Sequence, residues 1–395
     1  MSERLGVGAG DLVAVRAPLG PGWLDMVADL WTSGAAILPL DPRLTRPELR
    51  AILARARPAA ILDGDDVSIR ADHAPADERV ALVMPTYGAA GAPKLAELSR
   101  DAVTAAVRSS TRALGASAPD PWIACLSPAH VGGMLVLLRG VILGAPVVVR
   151  PAAALDLGGA APGGGEGLVY VAVVPTMVHR LVERGDALGG LALLVGGGRL
   201  DPTLRAGAEA LGARVVTTYG LTETCGGIAY DGLPFPGTEA RLSEQGAIEL
   251  SGPTLMDGYR GDPQATAEIF TADGWLRTGD VGTIDPDGRL HVLGRADDLI
   301  RTGAEKVWPD EVEAVLRTNS EVADVAVAGR PDPEWGEHVA AFIVPVHPHD
   351  PPSLEQLRTH AAAGLARFKL PRELSLVAEI PRTASGKIRR RALGT

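Results

Sequence analysis

The chain has 395 residues, 46% hydrophobic and 22% charged, which supports a large core in more than one domain and excludes a disordered or membrane-spanning chain. Its net charge of −10 argues against nucleic acid as a partner. Its two cysteines, Cys125 and Cys225, cannot build a disulfide framework, and MSERLGVGAGD opens without an apolar signal core; the expectation is a cytoplasmic protein with no membrane partner.

Along the chain, short apolar strands alternate with helices. DLVAVRA reads as a strand and PGWLDMVADLWTSG as a helix. Thr45-Arg46-Pro47-Glu48 has the form of a capping box opening a helix to Arg57. LVYVAVV (168–174), LALLV (191–195) and RVVTTYG (214–220) are β-rich runs between helical stretches, the pattern of an α/β domain with parallel strands. The Gly/Ala-rich stretch 153–167 reads as a surface loop. After about residue 235, turn signals crowd together and predict a β-rich subdomain. From Pro309, PDEVEAVLRT (helix), ADVAVAG and HVAAFIVPV (strands) and SLEQLRTHAAAGLARF (helix) predict a small α+β domain, with the boundary at Arg295 to Asp298.

Five segments carry candidate chemistry. In MPTYGAAGAPKLAELS (84–99), Gly88 and Gly91 permit a tight loop and Lys94 adds a positive charge, as phosphate-holding loops require; an ordinary glycine-rich turn has the same composition. In TTYGLTETCGG (217–227), Thr222 and Glu223 follow a strand end, where a hydroxyl and a carboxylate can meet a phosphate and a magnesium ion; a capped turn uses the same residues. In WLRTGDVG (275–282), Asp280 can accept both hydroxyls of a ribose, or simply make an Asx turn. GRADDLIRTGAEKVWPDEVE (294–313) sets Arg295, Asp297 and Asp298 between a strand and the new domain; alone it reads as a solvated linker with paired charges. In PRTASGKIRRRAL (381–393), Lys387 follows a Ser-Gly turn, and Arg389 to Arg391 read as a solvated basic end.

The order and spacing of these segments resemble the adenylate-forming superfamily: acyl- and aryl-CoA synthetases, peptide-synthetase adenylation domains and luciferases. YGLTET, WLRTGD, GRADDLIRTGAEKVWPDEVE and PRTASGKIRR carry the match, with GAAILPLDPRLT (34–45) and VADVAVAGRPDPEWGEHVAAFIV (322–344), over nearly the whole chain. In compactness it looks most like acyl- and aryl-CoA ligases such as the menaquinone-pathway enzymes that activate 2-succinylbenzoate. The resemblance implies an α/β fold: a large N-terminal AMP-binding domain with a β-rich subdomain over 1–294, shortened at its start, and a small mobile α+β lid over 295–395.

It also implies an acid–thiol ligase using ATP, Mg²⁺ and CoA. Gly88, Gly91 and Lys94 would form the phosphate loop. Gly196, Gly197 and Gly198, in the stretch to Arg199, would line the adenine and acyl pocket, with Tyr219 and Gly220 at the adenine. Thr222 would bind the α-phosphate, Glu223 Mg²⁺, and Asp280 the ribose with Arg295 beside it. Asp297 would be the hinge about which the lid turns, carrying Lys387 to the acid for adenylation and the segment around Gly303 to the thiol afterwards. His130, in LSPAHVGGMLVLLRG, matches the residue bordering the acyl group and gating the thiol; a core or capping histidine is the alternative. Arg139, nine positions on, is placed as in the 2-succinylbenzoate ligases, where it would pair with a second substrate carboxylate; the alternative is an arginine snorkelling at a helix end.

The chain departs from the family in its phosphate loop. Tyr87, Ala89 and Ala90 stand at hydroxyl positions and Leu95 at a glycine. Each lost hydroxyl bond weakens phosphate binding by ~0.5–1.5 kcal/mol. Lys306 and Trp308 replace smaller or polar residues in the segment facing the incoming thiol. Two further readings therefore stand beside a CoA ligase: an adenylating ligase that passes its acyl group to a carrier protein or an amine, and a nucleotide-binding protein with degraded catalysis. The protein partner, if any, is a carrier protein, and the chain is a monomer or homodimer.

Overall fold

The computed structural model describes residues 1–64, 66–86, 93–151, 167–303, 305–382 and 388–393. The expected phosphate-loop glycines Gly88 and Gly91, most of the glycine-rich loop, and Lys387 lie outside the described residues. The chain divides into two compact units: Met1–Ala240 with Leu250–Leu276, and Arg241–Glu249 with Arg277–Thr395.

Among the described residues, the first unit holds two seven-stranded sheets. One runs Gly258–Tyr259, Lys94–Ser99, Val80–Thr86, Ala36–Leu40, Leu12–Arg16, Ala60–Asp63, Asp66–Ile69 from edge to edge. The other runs Leu233–Pro234, Gly226–Tyr230, Arg214–Leu221, Leu191–Val195, Val169–Val173, Trp122–Ala124, Val147–Val149. The central strands are parallel, as the alternation of strand and helix requires. Ala36–Leu40 and Leu191–Val195 are buried at every position, because helices cover both faces of such sheets.

Local signals held where a side chain enforces them. Thr45 and Glu48 form the expected capping box, with the Thr45 N–H donating to Glu48 Oε2 at 2.8 Å, and the helix spans Arg46–Ala56. Gly34 ends the helix Gly22–Ser33 at φ 85°, a left-handed conformation natural to glycine. Ser99 caps Arg100–Leu114 by accepting from the Ala102 N–H at 3.2 Å.

In the second unit, a sheet runs Glu305–Val307, Ile300–Thr302, Gly336–Pro345, Val322–Asp332, with Glu373–Leu376 beside Gly336–Pro345. Helices Pro309–Leu316 and Leu354–Ala362 supply Val312, Leu316 and Leu357 to its core with Val325, Val327 and Ile343. The latter helix stops at Ala362, short of the expected Phe368; Gly364, a poor helix former, follows closely.

No helix among the described residues is long and apolar enough to cross a membrane. Cys125 and Cys225 are both buried, unbridged thiols. Burial pushes Cys125 up to about 12 and raises Cys225 as well. The thiolate is the reactive form. Neither residue should therefore react with iodoacetamide at pH 8 in the native protein, while both should do so in urea; mass spectrometry of the labelled chain checks this.

Candidate functional site

The segment 217–227 lies where the sheet chemistry predicts. Arg214–Leu221 leaves the parallel sheet and turns back as Gly226–Tyr230, with a register shift between Tyr219 and Gly220. A Cβ on Gly220 would lie 1.9 Å from the Gly226 carbonyl oxygen, so only glycine allows this close return. Thr224 is fully buried and ties the turn together. Its hydroxyl accepts from the Leu221 N–H at 2.9 Å and donates to the Gly226 carbonyl at 2.7 Å. That leaves Thr222 half-buried, its hydroxyl with no hydrogen bond among the described residues, and Glu223 8% exposed.

The neighbouring strand Leu191–Val195 delivers Gly196–Gly198 to the same carboxyl end of the sheet. A Cβ at Gly196 would fall 2.4 Å from Thr218 Oγ1, so this glycine lets the loop lie directly against the strand that carries Tyr219. Tyr219 is half-buried and Gly220 exposed.

Glu223 accepts a hydrogen bond from the Tyr259 hydroxyl at Oε1, 2.8 Å. Met256 N–H donates to the Glu223 carbonyl at 2.9 Å, so the segment entering Tyr259 holds the turn from behind. Lys94, the lysine of the expected phosphate loop, stands 4.8 Å over the ring of the same Tyr259. Lys94, Tyr259 and Glu223, far apart in sequence, thus form one contiguous group.

A buried carboxylate with acceptor capacity left over is the donor chemistry a hard divalent cation takes. Among the described residues no cluster of three or more His, Cys, Asp or Glu could hold a metal. The Glu223 carboxylate has the donor chemistry of nucleotide enzymes in which one carboxylate and the substrate phosphates share Mg²⁺.

His130 occupies the N-cap of Val131–Leu143, half-buried and making no capping bond through its side chain. Arg139 on that helix does not snorkel. It is 3% exposed, donates to Ser110 Oγ at 2.6 Å and the Leu135 carbonyl at 3.0 Å, and lies 4.0 Å over the Trp122 ring. Burial lowers its pKa, with the Tyr230 phenol opposing that shift. Its Nε has no hydrogen-bond partner among the described residues.

In the second unit, two separate motifs meet. Asp280 and Arg295 are register partners in the antiparallel pair Leu276–Ile284 and Leu290–Arg295, and Arg295 Nη1 donates to Asp280 Oδ1 at 3.1 Å. The same nitrogen donates to the Thr278 carbonyl at 2.8 Å, and the Asp280 N–H donates to Thr278 Oγ1 at 3.0 Å. Gly279 makes room: its φ is 72°, and a Cβ there would lie 2.8 Å from Arg295 Nη2. Asp280 is 6% exposed. Asp297 is exposed in the short turn Ala296–Asp298. Trp308 packs over Gly294, where a Cβ would come within 2.8 Å of its ring, and Lys306 is exposed.

The basic end is not a solvated one at Arg390. Its side chain is 12% exposed and bridges Asp310 at 2.5 Å, Asp298 at 3.4 Å and the buried Glu313, while donating to the Val327 carbonyl at 2.8 Å. Burial, the largest influence, pushes the carboxyls of Glu313 and Asp298 up, and Arg390 opposes it. Asp298 is accordingly no freely paired linker residue. Nothing in the run of arginines signalled this, because the partner acids lie 77 to 92 positions earlier. Tyr259 was likewise not singled out; in MDGYRG only its glycine neighbour marks the spot.

Comparison with known proteins converges on one family. The AMP-binding enzyme model matches residues 63–260, and the AMP-binding enzyme C-terminal domain matches 311–387. A probable 2-succinylbenzoate–CoA ligase of Mycobacterium tuberculosis is 39% identical over 327 residues, 80% of this chain and 84% of that protein. The 2-succinylbenzoate–CoA ligase of Geobacillus sp. is 31% identical over 98% of this chain and 88% of its own length. Among solved structures, o-succinylbenzoate CoA synthetase (MenE) from Bacillus subtilis, in complex with the acyl-adenylate intermediate OSB-AMP, superposes with a TM-score of 0.86 at 25% identity, covering 100% of this chain and 90% of that one.

Proposed function

The chain belongs to the AMP-binding enzyme family, and from that premise we propose that it is a 2-succinylbenzoate–CoA ligase: it activates the acid with ATP as an acyl-adenylate and passes the acyl group to the thiol of CoA. The observation that carries this reading is the pair Thr222 and Glu223. It is a hydroxyl with hydrogen-bonding capacity to spare beside a buried acid, just beyond the carboxyl end of a parallel sheet.

The first half-reaction sets two anions against each other. A substrate carboxylate oxygen attacks the α-phosphorus, the bond to the bridging oxygen breaks, and pyrophosphate leaves. Glu223 would hold Mg²⁺, which when bound would supply positive charge to offset this repulsion. Thr222 donates its hydroxyl to the α-phosphate, and Lys387 donates to the carboxylate and α-phosphate as negative charge builds up between them. Lys94, with Gly88 and Gly91, holds the outgoing phosphates. Asp280, oriented by Arg295 and Thr278, accepts from the ribose hydroxyls, while Tyr219, Gly220 and Gly196–Gly198 bound the adenine and acyl pocket. The lid, residues 295–395, then turns at Asp297, withdrawing Lys387 and presenting the segment around Gly303. His130 borders the thiol path. The thiol attacks the acyl carbon, gives up its proton, and AMP leaves. Two half-reactions in one site require such a hinge.

The choice of acid rests on Arg139. The guanidinium is enclosed, Nε included, so it meets the second carboxylate of a diacid through a charge-assisted bond only when the substrate opens its packing against Ser110 and Trp122. That bond is worth about 1.5–3 kcal/mol. Replacing Arg139 with Lys should raise the KM for 2-succinylbenzoate by about 10- to 100-fold and leave that for a monocarboxylic analogue close to the wild-type value. Steady-state kinetics on the two acids checks this. The acceptor is tested by mass spectrometry with CoA, a carrier protein and amines in competition. A CoA thioester as the dominant product supports the proposal; acyl transfer to carrier protein or amine in preference to CoA would overturn it.

A further inference from the structure

Tyr259 is placed to govern two functional groups at once. Its short strand Gly258–Tyr259 pairs antiparallel with Lys94–Ser99, Tyr259 opposite Ala96. Its N–H donates to Thr266 Oγ1 at 2.8 Å, and the Asp257 N–H donates to the Glu97 carbonyl at 2.9 Å. The side chain is 6% exposed, so its rotamer is set by packing. From this fixed position the hydroxyl reaches Glu223 Oε1 at 2.8 Å and the ring face lies 4.8 Å beneath Lys94 Nζ.

We propose that Tyr259 is a positioning residue for nucleotide activation: its hydroxyl fixes the Glu223 carboxylate for Mg²⁺, and its ring fixes the Lys94 ammonium for the phosphates. This rests on the roles given above to Glu223 and Lys94. A carboxylate has two oxygens. With Oε1 accepting from Tyr259, Oε2 is left as the oxygen that would ligate the ion, without a search among rotamers. The hydroxyl is a neutral donor, so it orients Glu223 without cancelling the charge that Mg²⁺ needs. The ring face attracts the ammonium through its quadrupole, so Lys94 is held without a salt bridge to Glu223. One rigid side chain keeps an acid and a base apart that would otherwise neutralise each other.

The test is Mn²⁺ binding to the full-length enzyme with α,β-methylene-ATP, followed by electron paramagnetic resonance, in the wild type, Tyr259→Phe, Tyr259→Leu, Glu223→Gln and the Tyr259→Phe/Glu223→Gln double variant. Phenylalanine keeps the ring and removes only the hydroxyl bond. It should weaken Mn²⁺ binding about 10-fold, the worth of one hydrogen bond to a charged group, and leave nucleotide affinity at saturating metal close to wild type. Leucine removes the ring as well and should weaken nucleotide binding too. In the Glu223→Gln background, Tyr259→Phe should weaken binding by less than it does alone, because the two act through one contact. Wild-type Mn²⁺ affinity in Tyr259→Phe, alongside weakened affinity in Glu223→Gln, would overturn the proposal, as would fully additive effects. Wild-type affinity in Glu223→Gln would instead overturn the role given to Glu223. Tyr259→Phe conserves shape; if Tyr259→Leu unfolds, Tyr259→Phe and the double variant still decide the hydroxyl's role.

Discussion

Glu223→Gln should slow acyl-adenylate formation by about 10²- to 10³-fold, equivalent to ~3–4 kcal/mol of lost transition-state stabilisation. Glutamine keeps the shape of the side chain and an oxygen able to accept from the Tyr259 hydroxyl. The substitution removes charge while leaving the turn Thr222–Thr224 supported by Thr224. The loss should appear in the first half-reaction and be partly recovered by excess Mg²⁺, because the ion retains its phosphate ligands. Rapid-quench measurement of adenylate in a single turnover, across a Mg²⁺ titration, checks this. Thioester formation from preformed acyl-adenylate should change much less. A wild-type adenylation rate at low Mg²⁺ would remove Glu223 from the mechanism.

Arg390→Met should destabilise the second unit by about 3–5 kcal/mol, the usual result of removing one partner from a buried ionic group. The wild-type arginine serves Asp298, Asp310 and Glu313 together, with Arg295 adding a weaker influence on Asp298. Methionine fills the space and leaves the acids uncompensated. The effect has a pH signature. The carboxyls of Glu313 and Asp298 are raised in the folded protein by burial, so the folded state binds protons more readily than the unfolded one. Acids raised in this way cost stability as pH rises past their ordinary range, and the cost disappears as pH falls. The gap between Arg390→Met and wild type should therefore narrow from pH 7.5 toward pH 5. Urea unfolding at several pH values, read by circular dichroism, checks both the size and the sign. Arg390 follows Lys387 by three residues, and Arg382 and Ile388 form an antiparallel bridge on either side of residues 383–387.

What could be read from the sequence was what a local pattern or a short motif determines. The capping box at Thr45–Glu48 needs only side chains three positions apart, and it formed. Apolar runs such as LALLV are buried on both faces of a parallel sheet, and they became its central strands. The candidate segments stood out because a turn-forming glycine precedes a polar residue, at a strand end for Gly220–Thr222 and within the strand Leu276–Ile284 for Gly279–Asp280. Contacts between distant segments were not legible. The residues alone set Arg295 beside Asp297 and Asp298; only the resemblance placed it beside Asp280, its partner across a strand pair. Arg390 looked like one of three solvated arginines because its three acids come from elsewhere in the chain. Arg139 read either as a partner for a second substrate carboxylate or as a snorkelling helix-end residue; the apolar helix carries it inward against Trp122 and Ser110. Tyr259 carries no charge and sits in an unremarked MDGYRG; only folding sets its hydroxyl against Glu223 and its ring under Lys94.

Adenylation of a carboxylic acid is tested most directly by ATP–pyrophosphate exchange. With Mg²⁺, 2-succinylbenzoate should drive incorporation of labelled pyrophosphate into ATP, with little exchange in the absence of acid and strong loss of exchange in Lys387→Ala. The Ala-substituted phosphate loop should show as a raised KM for ATP in that assay, since hydroxyl donors are replaced at Ala89 and Ala90. ATP binding without acid-dependent exchange, for 2-succinylbenzoate and a panel of aromatic and aliphatic acids alike, would contradict the account.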